Sequence, residues 1–129
     1  MQTQRAATDE AANRAYRDTA ELKITDIASF LQEQFSQRVV ARLAGIEDPK
    51  QVGRWIRGQN EPRFDSEFRL RTAYQVFRYI EECENRHVAR AWMMGMNPQL
   101  EDESPLLAIA DERFKEVMAA ARSYRQGDL

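Results

Sequence analysis

The chain contains 129 residues with a formal net charge of −2, 31% charged residues and a mean hydropathy of −0.70. A chain of this size can bury one hydrophobic core without metal support, and its single cysteine, Cys83, excludes an intrachain disulfide. No apolar run is long enough to cross a bilayer, and the N-terminal residues lack the apolar core of a secretory signal. We therefore expect a cytoplasmic protein that uses no cofactor.

Charge is unevenly distributed along the chain. Residues 37–63 contain six basic and three acidic residues, and residues 97–112 contain five acidic residues and no basic one. The middle of the chain is therefore basic and the region near its end is acidic. A local basic segment can contact nucleic acid even when the whole chain is slightly acidic.

Apolar residues recur at helical spacing throughout, and no segment alternates as a strand does, so the pattern predicts an all-α protein. Residues 8–23 predict a weakly amphipathic helix or a frayed arm, and we assign residues 1–24 to an N-terminal helical arm. Thr25 is expected to cap the next helix, which ends near Phe35.

Two short helices separated by a glycine turn are predicted next. Ser36 can cap the first of them, and Gly45 suits the left-handed position after its end. Asp48 followed by Pro49 is a strong start signal for the second, because the carboxylate can cap it and proline is tolerated in a first turn. This helix is expected to end at Gly58.

A long helix is expected to open at Asp65 or Ser66 and to form the spine of the core. Its predicted apolar stripe consists of Phe68, Leu70, Ala73, Tyr74, Phe77 and Ile80. The chain is expected to break near Asn85, and a short helix containing Trp92 follows. A cap at Ser104 and Pro105 then predicts a last amphipathic segment.

The basic segment SQRVVARLAGIEDPKQVGRWIRGQNEP resembles the Xre-type helix-turn-helix. Shared features are the initial Ser-Gln, the small Ala41, the turn Gly45 and the closing pattern from Trp55 to Pro62. The span from Ala41 to Val52 is one residue longer than the usual pattern. We assign residues 25–84 to a helix-turn-helix domain with a long core helix.

This resemblance implies contact with double-stranded operator DNA by polar side chains of the second short helix and its flanks. The predicted DNA-binding residues are Arg38, Lys50, Gln51, Arg54, Arg57 and Arg63. Val52, Trp55 and Ile56 are expected to face the core. The alternative is that these arginines are the solvated face of an ordinary amphipathic helix.

The segment ARAWMMGMNPQLEDESPLLAIADERFKEVMAAA resembles the C-terminal toxin-binding domain of the Xre/MbcA/ParS antitoxin family. The matching residues are Trp92, Asn97, Pro98, Leu100, Ser104, Pro105, Leu106, Ile109, Phe114 and Val117. The family favours glycines where this chain has Glu101–Glu103 and Ala110–Glu112. We assign residues 85–129 to a small helical domain of this type.

Members of that family neutralise RES-domain toxins, which consume NAD or transfer a group from it. The resemblance therefore implies a RES-domain toxin as partner. The predicted toxin-binding residues are Met94, Met96, Asn97, Glu101, Asp102, Glu103, Tyr124 and Arg125. For the methionines the alternative is packing around Trp92, and for the three acidic residues it is a solvated loop.

No constellation for catalysis is present, since His87 is the sole histidine and has only Cys83 nearby as a second ligand type. We expect no enzyme activity and no metal. Besides the antitoxin, a free-standing helix-turn-helix regulator and a protein-interaction module remain possible. A homodimer is expected in the DNA-binding cases, through either the 8–23 arm or the helix at 66–83.

Overall fold

The computed structural model describes residues 2–127, with side chains from residue 9 onward; Met1, Asp128 and Leu129, at the ends of the predicted arm and of the predicted toxin-binding domain, lie outside the described residues. The described residues form eight α-helices and one 3₁₀ turn, and they contain no strand. The all-α prediction is therefore confirmed. The helices are α1 (Gln2–Glu21), α2 (Ile24–Phe35), α3 (Gln37–Ala44), α4 (Lys50–Ile56), α5 (Phe64–Cys83), α6 (Arg86–Met94), α7 (Pro105–Ala110) and α8 (Phe114–Gln126), with the 3₁₀ turn at Pro98–Leu100.

Helix α5 is the centre of the fold and packs against α1, α2, α3, α6, α7 and α8. Its buried face combines aliphatic and aromatic side chains, of which Leu70, Phe77 and Ile80 are fully enclosed. Phe30 of α2 meets the rings of Tyr74 and Phe77 edge-on, each at 5.2 Å between centroids. These contacts hold the first helices and the last ones around a single continuous core.

Helix α1 lies against α5 and α8 through a narrow face of small residues, Ala11, Ala15 and Thr19. Its end is fixed by Arg71 of α5, which donates to the carbonyl oxygens of Thr19 and Leu22 at 2.7 and 2.9 Å. Such donors satisfy the carbonyls that a helix leaves free at its C-terminus. The predicted arm is therefore a docked helix over the described residues.

The prediction for α5 was wrong in one residue of its stripe. Phe68 is 47% exposed, whereas the other five members of the stripe are buried. Phe68 precedes Leu70 by two positions, which turns it about 200° around the helix, away from the core face. It packs on the ring of Phe114 instead, at 4.8 Å between centroids.

Two helix starts also differ from prediction. Helix α2 begins at Ile24 after Lys23, without a side-chain cap, and not at Thr25. Helix α5 begins at Phe64, and the hydroxyl of Ser66 donates to the carbonyl oxygen of Ala44 at 2.7 Å. Ser66 is therefore used in a contact with α3. Within residues 2–127 no helix is long and apolar enough to cross a membrane.

Candidate functional site

A one-residue corner sets the direction of α3. Ser36 ends α2 by donating its backbone N–H to Gln32 at 3.0 Å, and its side-chain oxygen accepts from the backbone N–H of Val39 at 3.2 Å. The residue has φ 121°, in a region that favours glycine, so the corner carries backbone strain. The predicted cap is present, and it also makes α2 and α3 change direction within one residue.

The turn between α3 and α4 follows the predicted signals. Gly45 has φ 79° and donates to Arg42, and the next residue, Ile46, donates its N–H to Ala41 at 3.0 Å. This pair of bonds closes a helix end around a left-handed residue. The Asp48 carboxylate then accepts from the backbone N–H of Lys50 at 3.0 Å and so caps α4.

Small residues allow α3 and α4 to approach closely. Ala41 is buried, as expected from the sequence, and Val52 and Trp55 are buried on the inner side of α4. Gly53 is also buried, and a Cβ added there would lie 3.3 Å from the side-chain nitrogen of Gln37. Sequence reasoning missed the role of Gly53, although a glycine inside a short helix was the available signal.

The predicted DNA-binding residues belong to α3, α4 and the segment between α4 and α5, and we call them the basic surface. Arg38, Lys50, Arg57 and Arg63 are exposed, and Arg54 is half-buried. Lys50, Arg54 and Arg57 follow one another at spacings of four and three residues, which places them on one face of α4. Gln51 is half-buried, and its amide oxygen accepts from Asn60 at 3.1 Å. Lys50 is therefore the freer of the two neighbours.

The cations of this surface have no acidic partners. Between residues 9 and 127, no carboxylate lies within 4.0 Å of the charged nitrogens of Arg38, Lys50, Arg54, Arg57 or Arg63. Seven arginines elsewhere do form ion pairs: Arg14, Arg69, Arg71, Arg78, Arg86, Arg113 and Arg125. Unpaired clustered cations create a local positive potential that a polyanion can neutralise.

The methionines after α6 are divided between the core and the surface. Met93 is fully buried, so the alternative of core packing applies to this methionine and not to the other two. Met94 is 49% exposed and Met96 is 82% exposed. These two predicted toxin-binding side chains therefore offer adaptable apolar surface to a partner.

The loop after Met96 is closed by its own hydrogen bonds. Asn97 is buried, its side-chain oxygen accepts from the backbone N–H of Gln99 at 2.9 Å, and its carbonyl oxygen accepts from Asp102 at 2.9 Å. Glu101 and Asp102 have φ of 57° and 66°, and Glu112, before α8, has φ 63°. These three non-glycine residues thus adopt a left-handed conformation that glycine adopts more readily.

Arg113 contacts carboxylates of this loop and of the first turn of α8. Its guanidinium donates to Glu116 at 2.8 Å and lies 3.4 Å from Glu101 and 3.6 Å from Glu103. Hydrogen bonding to Glu116 raises the pKa of Arg113 further. Burial raises the pKa of the Glu103 carboxyl most, and the hydrogen bond and negative charge of Asp111 raise it further. The Oε1 atom of Glu103 is enclosed and has no hydrogen-bond partner between residues 9 and 127. Over the described residues no group of His, Cys, Asp or Glu is arranged to hold a metal ion.

Tyr124 and Arg125 are both engaged within the chain. Arg125 donates to the carbonyl oxygen of Tyr79 at 2.8 Å, and its guanidinium lies 4.7 Å from the centre of the Tyr79 ring. The Tyr124 hydroxyl donates to Glu84 at 3.2 Å, and burial together with that carboxylate raises its pKa. Among the predicted toxin-binding residues, Asn97, Tyr124 and Arg125 therefore hydrogen-bond within the chain. Glu103 is half-buried. The remaining four are exposed: Met94, Met96, Glu101 and Asp102.

A shallow groove of about 170 Å³ lies between Arg42 of α3 and the exposed Met94. It lies between α3, the end of α6 and α7. Its lining consists of Val39, Arg42, Leu43, Met94, Ser104, Leu106 and Leu107. The sequence did not indicate this groove, because it is formed by helices that are distant along the chain.

Comparison of the chain with protein-family models, curated proteins and solved structures gives no match in any of the three.

Proposed function

We propose that this protein is a cytoplasmic antitoxin-like repressor, which binds operator DNA through α3 and α4 and neutralises a RES-domain toxin through residues after α6. The observation that carries the DNA half is a set of five cations without acidic partners among the described residues, of which Arg54 is half-buried and Arg38, Lys50, Arg57 and Arg63 are exposed. A solvated amphipathic helix would equally expose its arginines, so measured operator binding decides between the two.

The form of α4 supports this proposal. It has seven residues and is about 10 Å long, and the major groove of B-DNA, about 12 Å wide, admits the cross-section of an α-helix. Val52 and Trp55 hold it to the core from behind. In the proposed complex, the exposed Lys50 and the half-buried Arg54 would contact phosphates or base edges.

The toxin half of the proposal comes from the resemblance of residues 89–121 to the Xre/MbcA/ParS antitoxins. Met94 and Met96 provide exposed apolar area, and Glu101 and Asp102 provide exposed negative charge beside it. An acidic edge next to flexible apolar side chains suits a site that otherwise binds an anionic dinucleotide, because such a site is expected to be electropositive.

Coexpression with a RES-domain protein encoded by a neighbouring gene tests this half. The wild type is expected to co-purify with that protein and to suppress its consumption of NAD. A Met94→Glu plus Met96→Glu variant is expected to lose both, because it places two charges in the apolar contact, while operator binding is unchanged. Tyr16→Glu is the matched control, since Tyr16 is 63% exposed on α1. Full suppression by the methionine variant would refute this contact surface.

A free-standing regulator without a toxin is the second candidate. The observation that favours it is the internal use of Asn97 and Arg125, which hydrogen-bond within the chain and are mostly enclosed. This candidate predicts operator binding by the purified chain, no RES-domain gene nearby and no co-purifying partner. Stable capture of a RES-domain protein would exclude it.

A further inference from the structure

Three aromatic side chains form an exposed patch that neither proposed binding surface uses. Phe64 and Phe68, at the start of α5, are 85% and 47% exposed, and Phe114, at the start of α8, is half-buried. The ring centroids of Phe64 and Phe68 are 6.3 Å apart, and those of Phe68 and Phe114 are 4.8 Å apart. We call these three residues the aromatic patch. We infer that a second copy of this chain covers it, so that the patch is the interface of a symmetric dimer.

Charge around the aromatic patch favours a second copy as the occupant. Lys115, an exposed cation, follows Phe114 directly in the chain, and the exposed acids Glu61 and Asp65 lie within three residues of Phe64. A rim of one sign would suit a partner of the opposite sign, such as nucleic acid or an anionic membrane. A rim with both signs suits an isologous contact, in which the cations of one copy face the acids of the other.

The apolar area is also appropriate for such a contact. A phenylalanine side chain buries about 200 Å² when it is fully covered, so the exposed parts of Phe64 and Phe68 amount to roughly 260 Å² in each copy. Two copies therefore contribute about 500 Å² of aromatic surface to an interface whose usual total is about 1,600 Å². Aromatic anchors of this kind carry a large share of the binding energy in protein interfaces.

The other surface considered for self-association has less to offer. Within the side chains described for α1, Tyr16 is the only large apolar residue that is exposed, and no second aromatic ring lies against it. The aromatic patch follows directly after the loop that leaves α4. The biological role of this dimer, which is to pair two DNA-binding units, rests on the proposed function. The test of the dimer requires neither DNA nor toxin.

Sedimentation velocity of the full chain over a range of concentrations tests the dimer. The wild type is expected to sediment as twice 15.0 kDa. Phe64→Glu is expected to weaken the dimer by roughly 100- to 1,000-fold, because one hot-spot residue is lost from each copy. The variant is expected to fold normally, since the side chain is solvent-exposed and acidic residues suit the first turn of a helix. Helical circular dichroism checks the fold.

Two matched variants complete the design. Phe64→Leu keeps apolar surface at the same position and is expected to retain the dimer, and Tyr16→Glu adds the same charge outside the aromatic patch and is also expected to retain it. A monomeric wild type, or a dimer that Phe64→Glu leaves unchanged, overturns the inference. If the wild type is monomeric and Phe64→Glu abolishes toxin capture, the patch belongs to the toxin and the inference is wrong while the proposed function stands.

Discussion

The most direct test of the DNA-binding proposal is the double substitution Arg54→Ala plus Arg57→Ala. Arg57 is exposed and Arg54 half-buried, and neither is in an ion pair with any residue between 9 and 127. Alanine is the best helix former and leaves the inner residues Val52 and Trp55 untouched. The change therefore removes two positive charges from the outer face of α4 with little expected effect on folding.

The expected magnitude follows from the number of free cations. If each of the six cations between residues 37 and 63 neutralises one phosphate, the slope of log K against log salt is about −5 for each copy of the chain. Loss of two contacts reduces that slope to about −4. Each lost contact costs about 1–3 kcal/mol if it reaches a base, so binding is expected to weaken by roughly 30-fold or more.

Fluorescence anisotropy with a labelled operator fragment, measured at several salt concentrations, gives both quantities. The control is Arg17→Ala plus Arg122→Ala, which removes the same charge from two exposed arginines on α1 and α8. Because these lie outside the basic surface, only a small and uniform loss of affinity is expected. Equal affinity and slope in the two double variants would show that net charge, and not α4, governs binding, and would refute the reasoning.

Two further outcomes concern the loop between α6 and α8. Glu101 has φ 57°, so Glu101→Gly is expected to be more stable than Glu101→Ala by about 1 kcal/mol in urea denaturation. Both substitutions remove the same carboxylate, and only alanine keeps the strain of the left-handed conformation. Equal stabilities of the two variants would contradict a left-handed backbone at this position. Burial and the neighbouring Asp111 raise the pKa of the Glu103 carboxyl, so the folded chain holds that proton more tightly than the unfolded chain, and stability falls as the pH rises through the folded-state pKa. Glu103→Gln is expected to remove this fall, so that it exceeds the wild type in thermal stability at neutral pH and loses the advantage in acid; a constant difference across pH would contradict the assignment.

Local backbone signals allowed much of the fold to be predicted. Gly45 closes α3 in the left-handed conformation, and Ser104 caps α7 with Pro105 at its first turn. Asp48 caps α4 at the predicted place. Each of these depends on hydrogen bonds between residues at most five apart along the chain, which is why the sequence contains the information.

Contacts over long sequence distances were not predictable in this way. Arg69, Arg71 and Arg125 each donate to distant carbonyl oxygens, which belong to Ala44 on α3, to Thr19 on α1 and Leu22 just after it, and to Tyr79 on α5. On a helical wheel these arginines resemble solvated surface charges, because the pattern does not reveal which helix end lies beside them. Phe68 shows the opposite error, since an apolar residue was assigned to the core although its helix turns it outward.

The candidate sites were predictable to different extents for the same reason. Lys50 is exposed as predicted and Arg54 is half-buried, and both positions follow from the inward positions of Val52 and Trp55, which determine the outer face of α4. The toxin-binding residues were predicted from a family resemblance, which indicates sequence positions but not the contacts of each side chain in the fold. Only the structure reveals that Arg125 is held by Tyr79 and that Met96 is open.

Arg69 connects the turn before α4 to the loop before α8. Its guanidinium donates to the carbonyl oxygen of Ala44, at the turn before α4, and to the carboxylate of Glu112 in the loop before α8, at 3.3 and 2.9 Å. The Arg69 side chain is 13% exposed, whereas that of Glu112 is 57% exposed, so solvent weakens the pair mainly from the loop side. A protein that covers this loop excludes that solvent and strengthens the attraction between the two charges. A partner that covers Glu112 would therefore strengthen the contact that holds the α3–α4 turn.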